Sequence, residues 1–222
     1  METLETLPWI FFSARAMIGK VPYHIGPTSI PCRDNPYGAA VAPNPDNGRV
    51  CLSDIDPRQR GLFAAAWNIG YLSAAASAGV NAVALGSATG SQGMIYRKLA
   101  HTQPWFDRAG ARVYPTYHVI AGVAAAGGAR RIDTNSSTPS KVAALAYRNK
   151  GDQVLWLANL SGATRRLKIN GFDGPARLDV LDEISFEAAA RDPAWLDGDP
   201  TSIRKVGTLE LPSYGVARLK SG

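Results

Sequence analysis

Apolar positions follow one spacing in the first part of the chain and another in its last part, so two kinds of structure are expected. Leu7 to Ile18 is an apolar-rich run with a proline in its first turn and Gly19 after its last residue, the usual punctuation of a helix. A second helix is expected from Asp56-Pro57, an N-cap and first-turn pair, through Leu62, Phe63, Ala66, Trp67, Gly70 and Ala74, spaced three and four apart and ending at Gly79. Tyr114 to Ala126 reads as a third helix built of small residues. Two β-like runs, Val21 to Ile30 (interrupted by Gly26 and Pro27) and Val80 to Leu85, follow the first two helices.

The links between these elements are unequal. Helix-to-strand links at Gly19-Lys20 and Gly79 are very short, whereas the strand-to-helix links, Pro31 to Ile55 and Ser87 to Arg112, are long and polar. In β/α barrels and doubly wound sheets the strand-to-helix loops carry the active site, and long loops in a compact domain are usually functional. Any chemistry is therefore expected in these two loops.

From about Arg130 the pattern becomes all-β. Lys141 to Arg148, Gln153 to Leu160, Arg165 to Ile169, Arg177 to Asp182, Thr208 to Leu211 and Tyr214 to Leu219 are short, partly alternating runs separated by turn formers. They predict a small antiparallel β-sandwich. Arg130 to Ser140 reads as the connection between the two parts, and Ala188 to Ser202 as an insertion. The fold class is thus α/β plus all-β, divided into residues 1–128 and 129–222. The first part offers only two strands, too few for a parallel sheet to hide its faces and edges. The expectation is a portion of a longer protein, or a chain that covers its open edge by self-association or with a partner chain.

Composition narrows the class. Hydrophobic residues make up 45% and charged residues 19%, which fits a globular protein. No stretch reaches the roughly 18 apolar residues of a membrane helix, and the acidic start Glu2 to Glu5 is unlike a secretory signal, so a cytoplasmic location and no membrane partner are expected. The net charge is +6, yet the densest basic groups are only Arg130-Arg131 and Arg165-Arg166, so no nucleic-acid partner is expected. Cys32 and Cys51 form no disulfide framework and no metal spacing, and the three histidines are far apart; no metal and no cofactor are expected. Nucleophile elbow, Walker loop and dinucleotide fingerprint are absent.

The segments PYHIGPTSIPCRDNPYGAA, DPRQRGLFAAAWNIGYLSAAASAGVNAVALGSATG and VYPTYHVIAG resemble the end of the (β/α)8 barrel of D-apionate lactonase-like proteins, which are built like clan-A glycoside hydrolases. The closing LELPSYGVARLK resembles the last hairpin of the sandwich that follows such barrels. The resemblance implies that Val21 to Ile30 is barrel strand 7, Val80 to Leu85 strand 8 and Tyr114 to Ala126 the last barrel helix, with strands 1 to 6 lacking a counterpart. It implies hydrolysis of a sugar-acid lactone in a bacterial pathway for apiose by the full-length relative, and without strands 1 to 6 these residues alone are expected to be inactive. One departure from clan-A glycosidases is sharp. Their nucleophile is a glutamate ending strand 7, and no Glu occurs between Glu5 and Glu183.

Lactone hydrolysis needs a base to activate water and donors to stabilise the oxyanion. Asp34 and His24 are the candidate bases, Arg33 the electrostatic clamp, and Asn35 an oxyanion or hydroxyl partner. Tyr37, Arg58, Ser87, Thr89 and Gln92 are candidates for substrate binding. Structural readings compete with these roles: an Arg33–Asp34 ion pair, a turn at Asn35-Pro36, a core position for His24, a packing role for His118, an N-cap at Asp56, and a flexible lid made by Gly86, Gly90 and Gly93. A second function class is a carbohydrate-binding or interaction module with Trp156 or Trp195 as a stacking platform, against which stands the reading of Trp156, Tyr147, Trp195 and Tyr214 as core.

Overall fold

The computed structural model describes residues 1–172 and 174–221. Helix α1 (Thr3–Ile18) leads into strand β1 (His24–Thr28), and helix α2 (Leu62–Ser77) into strand β2 (Ala82–Leu85). Helix α3 (Pro115–Ala124) closes the first part. The two strands pair in parallel, with His24 beside Ala82 and Ile25 beside Val83.

Helix α2 carries no charged residue because it is covered on two sides. Trp67, Tyr71 and Ala75 meet Leu7 and Phe11 of α1 together with Tyr23, Ile25, Val83 and Leu85 of the strand pair. Ala65, Ala66 and Ile69 meet the β-domain. The other face of the strand pair, bearing His24, Gly26, Ala82 and Ala84, is exposed. Arg15 fastens the helix-to-strand turns, its Nη1 donating to the Val21 carbonyl at 2.9 Å and its Nη2 to the Gly79 carbonyl at 2.7 Å. The outer side of α1 presents Trp9, Phe12 and Met17 at 74%, 71% and 87% exposure, a face that nothing among the described residues covers.

The second part contains strands β3 (Arg130–Ile132), β4 (Val142–Asn149), β5 (Asp152–Asn159), β6 (Arg165–Lys168), β7 (Ala176–Leu181), β8 (Thr201–Ile203), β9 (Thr208–Leu211) and β10 (Val216–Ser221). A short helix, α4 (Phe186–Arg191), follows β7. Six strands form an antiparallel sheet in the order β3-β4-β5-β10-β7-β8, and β6 pairs with β9 as a second, two-stranded sheet. The large sheet is buried on both faces. Ala143, Leu145, Val154, Trp156 and Val216 point toward α2 and α3, while Ala146, Leu155, Leu157, Ala217 and Leu219 meet the β6–β9 side. That double burial explains why Val142–Asn149 and Asp152–Asn159 read as nearly continuous apolar runs rather than clean alternations.

All six expected strands of the second part are present, with ends shifted by a residue or two. Three elements were not expected. Strand β3 lies in the segment read as a connection, strand β8 in the segment read as an insertion, and α4 beside it. Each is too short, at three to six residues, to imprint a period on the sequence.

Candidate functional site

The long loops leave the C-terminal ends of β1 and β2, and one buried side chain holds them together. Gln59 lies in a 3-10 turn, Pro57–Arg60, just before α2, and is 3% exposed. Its Oε1 accepts from the Ile30 N–H at 3.3 Å, and its Nε2 donates to the Gln92 and Gly93 carbonyls at 3.4 and 3.3 Å. The first contact is on the loop after β1; the other two are on the loop after β2. The Asp56 side chain orients this turn by accepting from the Arg58 N–H at 2.9 Å, the N-cap role expected for it. Arg58 also forms an ion pair with the buried Asp56 carboxylate and sits 5.2 Å from the Phe63 ring.

Arg33 spans the same two loops. Its Nη2 donates to Ser87 Oγ at 3.0 Å and to the Gly86 carbonyl at 3.4 Å. The guanidinium thus turns to the β2 loop rather than to its neighbour Asp34, which is exposed and forms no ion pair among the described residues. Gln92 Nε2 adds a third tie, to the Cys32 carbonyl at 3.3 Å. Asn35 makes its own turn: Oδ1 accepts from the Tyr37 N–H and Nδ2 donates to the Ala40 carbonyl, both at 2.9 Å. The Tyr37 ring is 88% exposed beyond that turn, and Thr89 is exposed on the second loop.

Glycine is required where the second loop begins and folds back. Gly86 has φ +62°, and a Cβ there would lie 2.8 Å from the Gln92 carbonyl oxygen; at Gly93 it would lie 2.7 Å from the Thr89 carbonyl carbon. Backbone bonds Ser87 N to Gln92 O at 3.0 Å and Met94 N to Ser87 O at 3.0 Å hold the loop folded, so these glycines serve a tight turn.

His24 stands apart from this group. It opens β1, on the exposed face of the strand pair, and four residues at ~3.3 Å each separate it by about 13 Å from the C-terminal end where the loops begin.

Sequence reading did not single out a second set of residues behind the loops. Buried Arg60 donates through Nη2 to Asn47 Oδ1 at 3.1 Å, and its Nη1 lies 3.5 Å from His101 Nε2. Burial pulls the Arg60 pKa down; burial and then the Arg60 charge do the same to His101. An imidazole receiving an arginine N–H must be neutral at that nitrogen, which agrees with the lowered value. Nearby, the Gln103 side chain is fully buried, accepts from the Tyr114 hydroxyl and donates to the Arg97 carbonyl at 2.8 Å. Asp107 receives the Gln103 N–H at 2.7 Å and the Tyr96 hydroxyl at 3.0 Å. Burial pushes the Tyr114 hydroxyl up to about 12. Only the polar run between Ser87 and Arg112 signalled this network in the sequence.

Of the two aromatic candidates for a stacking platform, Trp156 is interior and Trp195 is partly buried. Trp156 is 2% exposed and donates from Nε1 to the buried Tyr147 hydroxyl at 3.2 Å. Trp195 packs against His118, ring centroids 5.4 Å apart. His118 is itself buried on α3 and hydrogen-bonds the Ala189 carbonyl of α4 through Nε2 at 2.8 Å, the packing role expected for it.

Comparison with known proteins accords with this geometry. Residues 1–128 match the family described as D-apionate lactonase, TIM barrel domain, and residues 139–219 match D-apionate lactonase, C-terminal immunoglobulin-like domain. The D-apionate lactonase of Brucella anthropi is 32% identical over 172 residues, which cover 78% of this chain and 27% of that protein. The match thus spans about a quarter of that relative's length. Among solved structures, a conserved exported protein from Bacteroides fragilis aligns with a TM-score of 0.56 at 12% identity, over 98% of this chain and 42% of its own. An arabinofuranosidase aligns at 0.55 and 10% identity, over 99% and 49%. A GH30 endoxylanase from Clostridium papyrosolvens C71 aligns at 0.50 and 16% identity, over 73% and 39%. At such identities these structures speak for the fold alone: a partial TIM barrel followed by an antiparallel, immunoglobulin-like β-domain. With more than half of its residues matched by the barrel profile and most of the rest by the profile of the domain that follows it, the chain belongs to the D-apionate lactonase family.

Proposed function

We propose that these residues form the strand-7 and strand-8 part of a lactonase site that opens a sugar-acid lactone by adding water. The observation that carries the reading is the bracing of the two strand-to-helix loops by Gln59, with Arg33 bridging them at Ser87 and Gly86. Water attacks the neutral lactone carbonyl, the carbonyl oxygen becomes an oxyanion, the ring C–O bond breaks, and the product carries a carboxylate. A fixed cation is worth most where that negative charge develops. Arg33 spends Nη2 on Ser87 and Gly86, which leaves its Nε and Nη1 donors free of protein partners among the described residues.

Asp34, an exposed carboxylate beside Arg33, is favoured as the base over His24, which lies at the far end of its strand. Tyr37 and Thr89 extend from the two loops toward the hydroxyl groups of a sugar acid. Ser87 positions Arg33, Asn35 and Gln92 hold the loop shape, and Arg58 supports the turn that carries Gln59. The exposed strand-pair face and the apolar outer side of α1 are where further barrel strands and helices, or a partner chain, would pack.

The test is a chimera: the Brucella anthropi enzyme with the segment that corresponds to this whole chain replaced by these 222 residues. Hydrolysis of D-apionate lactone, followed by proton release, is expected well above the uncatalysed rate. A folded chimera that hydrolyses xylan or an arabinoside but not the lactone would contradict the proposal.

A further inference from the structure

The second sheet of the β-domain is one strand short. Among the described residues it contains β6 and β9 alone, and β6 is an edge whose outward N–H and C=O groups have no strand partner there. Beside that edge runs a groove of about 850 Å³, walled by β6 and the Asp133–Thr138 segment. Ile132, Ala144, Ala146, Leu155 and Leu157 lie along it on the large sheet. Strand β9 does not reach it. The groove is therefore the place next to β6, over β4, where a third strand would continue the small sheet at the usual ~4.8 Å spacing.

Charge along the edge selects the kind of strand. Arg165, Arg166 and Lys168 line the groove from β6, and the one acidic side chain among the described residues that line it, Asp133, is paired with Arg131 at 2.5 Å. Leu167, between the basic residues, faces the apolar core. A strand with apolar residues at alternate positions and acidic residues between them would bury the first set on the large sheet and place the second beside Arg166 and Lys168, the exposed basic side chains that flank Leu167. A short, basic edge resists indiscriminate pairing, and addition of a strand of complementary charge is a common way to extend such a sheet. About three quarters of the Brucella anthropi relative lies outside its match to this chain, so the family polypeptide has ample length to supply a strand.

We infer that the β6 edge receives an extended, alternating apolar and acidic segment from the remaining part of the lactonase polypeptide, completing the sandwich by strand addition. This docking is independent of the lactone chemistry proposed above. Its probe is a set of overlapping 12-residue peptides covering the part of the Brucella anthropi enzyme outside the match, titrated against the labelled 222-residue chain. One alternating apolar and acidic segment is expected to bind, to slow amide exchange at Arg165–Lys168, and to lose at least ~10-fold in affinity with Arg166→Glu and Lys168→Glu together, about 1.4 kcal/mol or more. Both side chains are exposed, so an unchanged melting curve of the double variant separates lost binding from lost fold. The inference is overturned if no such peptide binds, if binding survives the charge reversal, or if protection appears elsewhere while the β6 amides stay unchanged.

Discussion

Replacing Gln59 with leucine keeps the volume of a buried side chain and removes the three contacts that join the two loops. The lost partners are the Ile30 N–H and the Gln92 and Gly93 carbonyls, at 3.3, 3.4 and 3.3 Å. These distances are at the long end for hydrogen bonds, so each contact is worth nearer ~0.5 than ~1.5 kcal/mol. Stranding buried partners raises the cost, and a total of about 2 kcal/mol is expected for Gln59→Leu, a melting shift of roughly 4–8 °C in a chain of this size. Hydrogen exchange should show where the loss falls: the Ile30 amide and the turn amides from Ser87 to Met94 should exchange faster, while Val154 to Ala158 in the large sheet keep their protection. A variant whose stability lies within about 0.5 kcal/mol of the parent, with unchanged loop exchange, would refute the bracing role, since surface changes without a structural mechanism fall in that range.

His118 should make stability pH-dependent. Burial holds its folded pKa below the ordinary imidazole value, with the Ala189 carbonyl and Asp192 favouring and Arg218 opposing the proton, so below pH 6.5 the unfolded chain takes up a proton that the folded chain declines. Its contribution is complete above that pH and falls with a slope of up to ~1.4 kcal/mol per pH unit as the solution is acidified; urea midpoints from pH 8 to 5.5 should show this, and His118→Gln should flatten it. Gly122→Ala should destabilise the contact of α3 with the sheet, because the new Cβ would lie 2.6 Å from Trp156 Cζ2. Overpacking costs about 1–3 kcal/mol against a helix-propensity gain of up to ~1, so calorimetry should register a net loss near 1–2 kcal/mol. Tyr114→Phe removes the hydroxyl that donates to buried Gln103, and denaturation should show a loss of about 1–2 kcal/mol.

Elements long enough to bury a face were legible in the sequence. Helix α2 announces itself through the spacing of Leu62, Ala66, Gly70 and Ala74, and the strands around Trp156 through apolar runs bounded by turn residues. The unequal loop lengths pointed to the segments that hold Arg33 and Ser87. Contacts made only in three dimensions were hidden. Gln59 lies within the polar stretch Pro57–Arg60, where nothing local shows that its amide will be buried between two loops. Arg60 and His101 are 41 residues apart and meet only because the second loop folds back over the start of α2. Asn35 illustrates an ambiguity that composition cannot resolve: a side chain suited to an oxyanion is equally suited to closing a turn, and here its amide does the latter.

In the lactonase function proposed above, Arg33, held across the two loops by Ser87, meets the negative charge formed when the lactone opens. The direct measurement is kcat/KM for D-apionate lactone hydrolysis by the chimeric enzyme carrying Arg33→Ala or Arg33→Lys, each compared with the parent chimera. A loss of roughly 10²- to 10³-fold is expected for alanine, the usual cost of removing an oxyanion partner, and partial recovery for lysine, which keeps the charge without the planar fork. An alanine variant that folds like the parent and hydrolyses the lactone at the parent rate would contradict it.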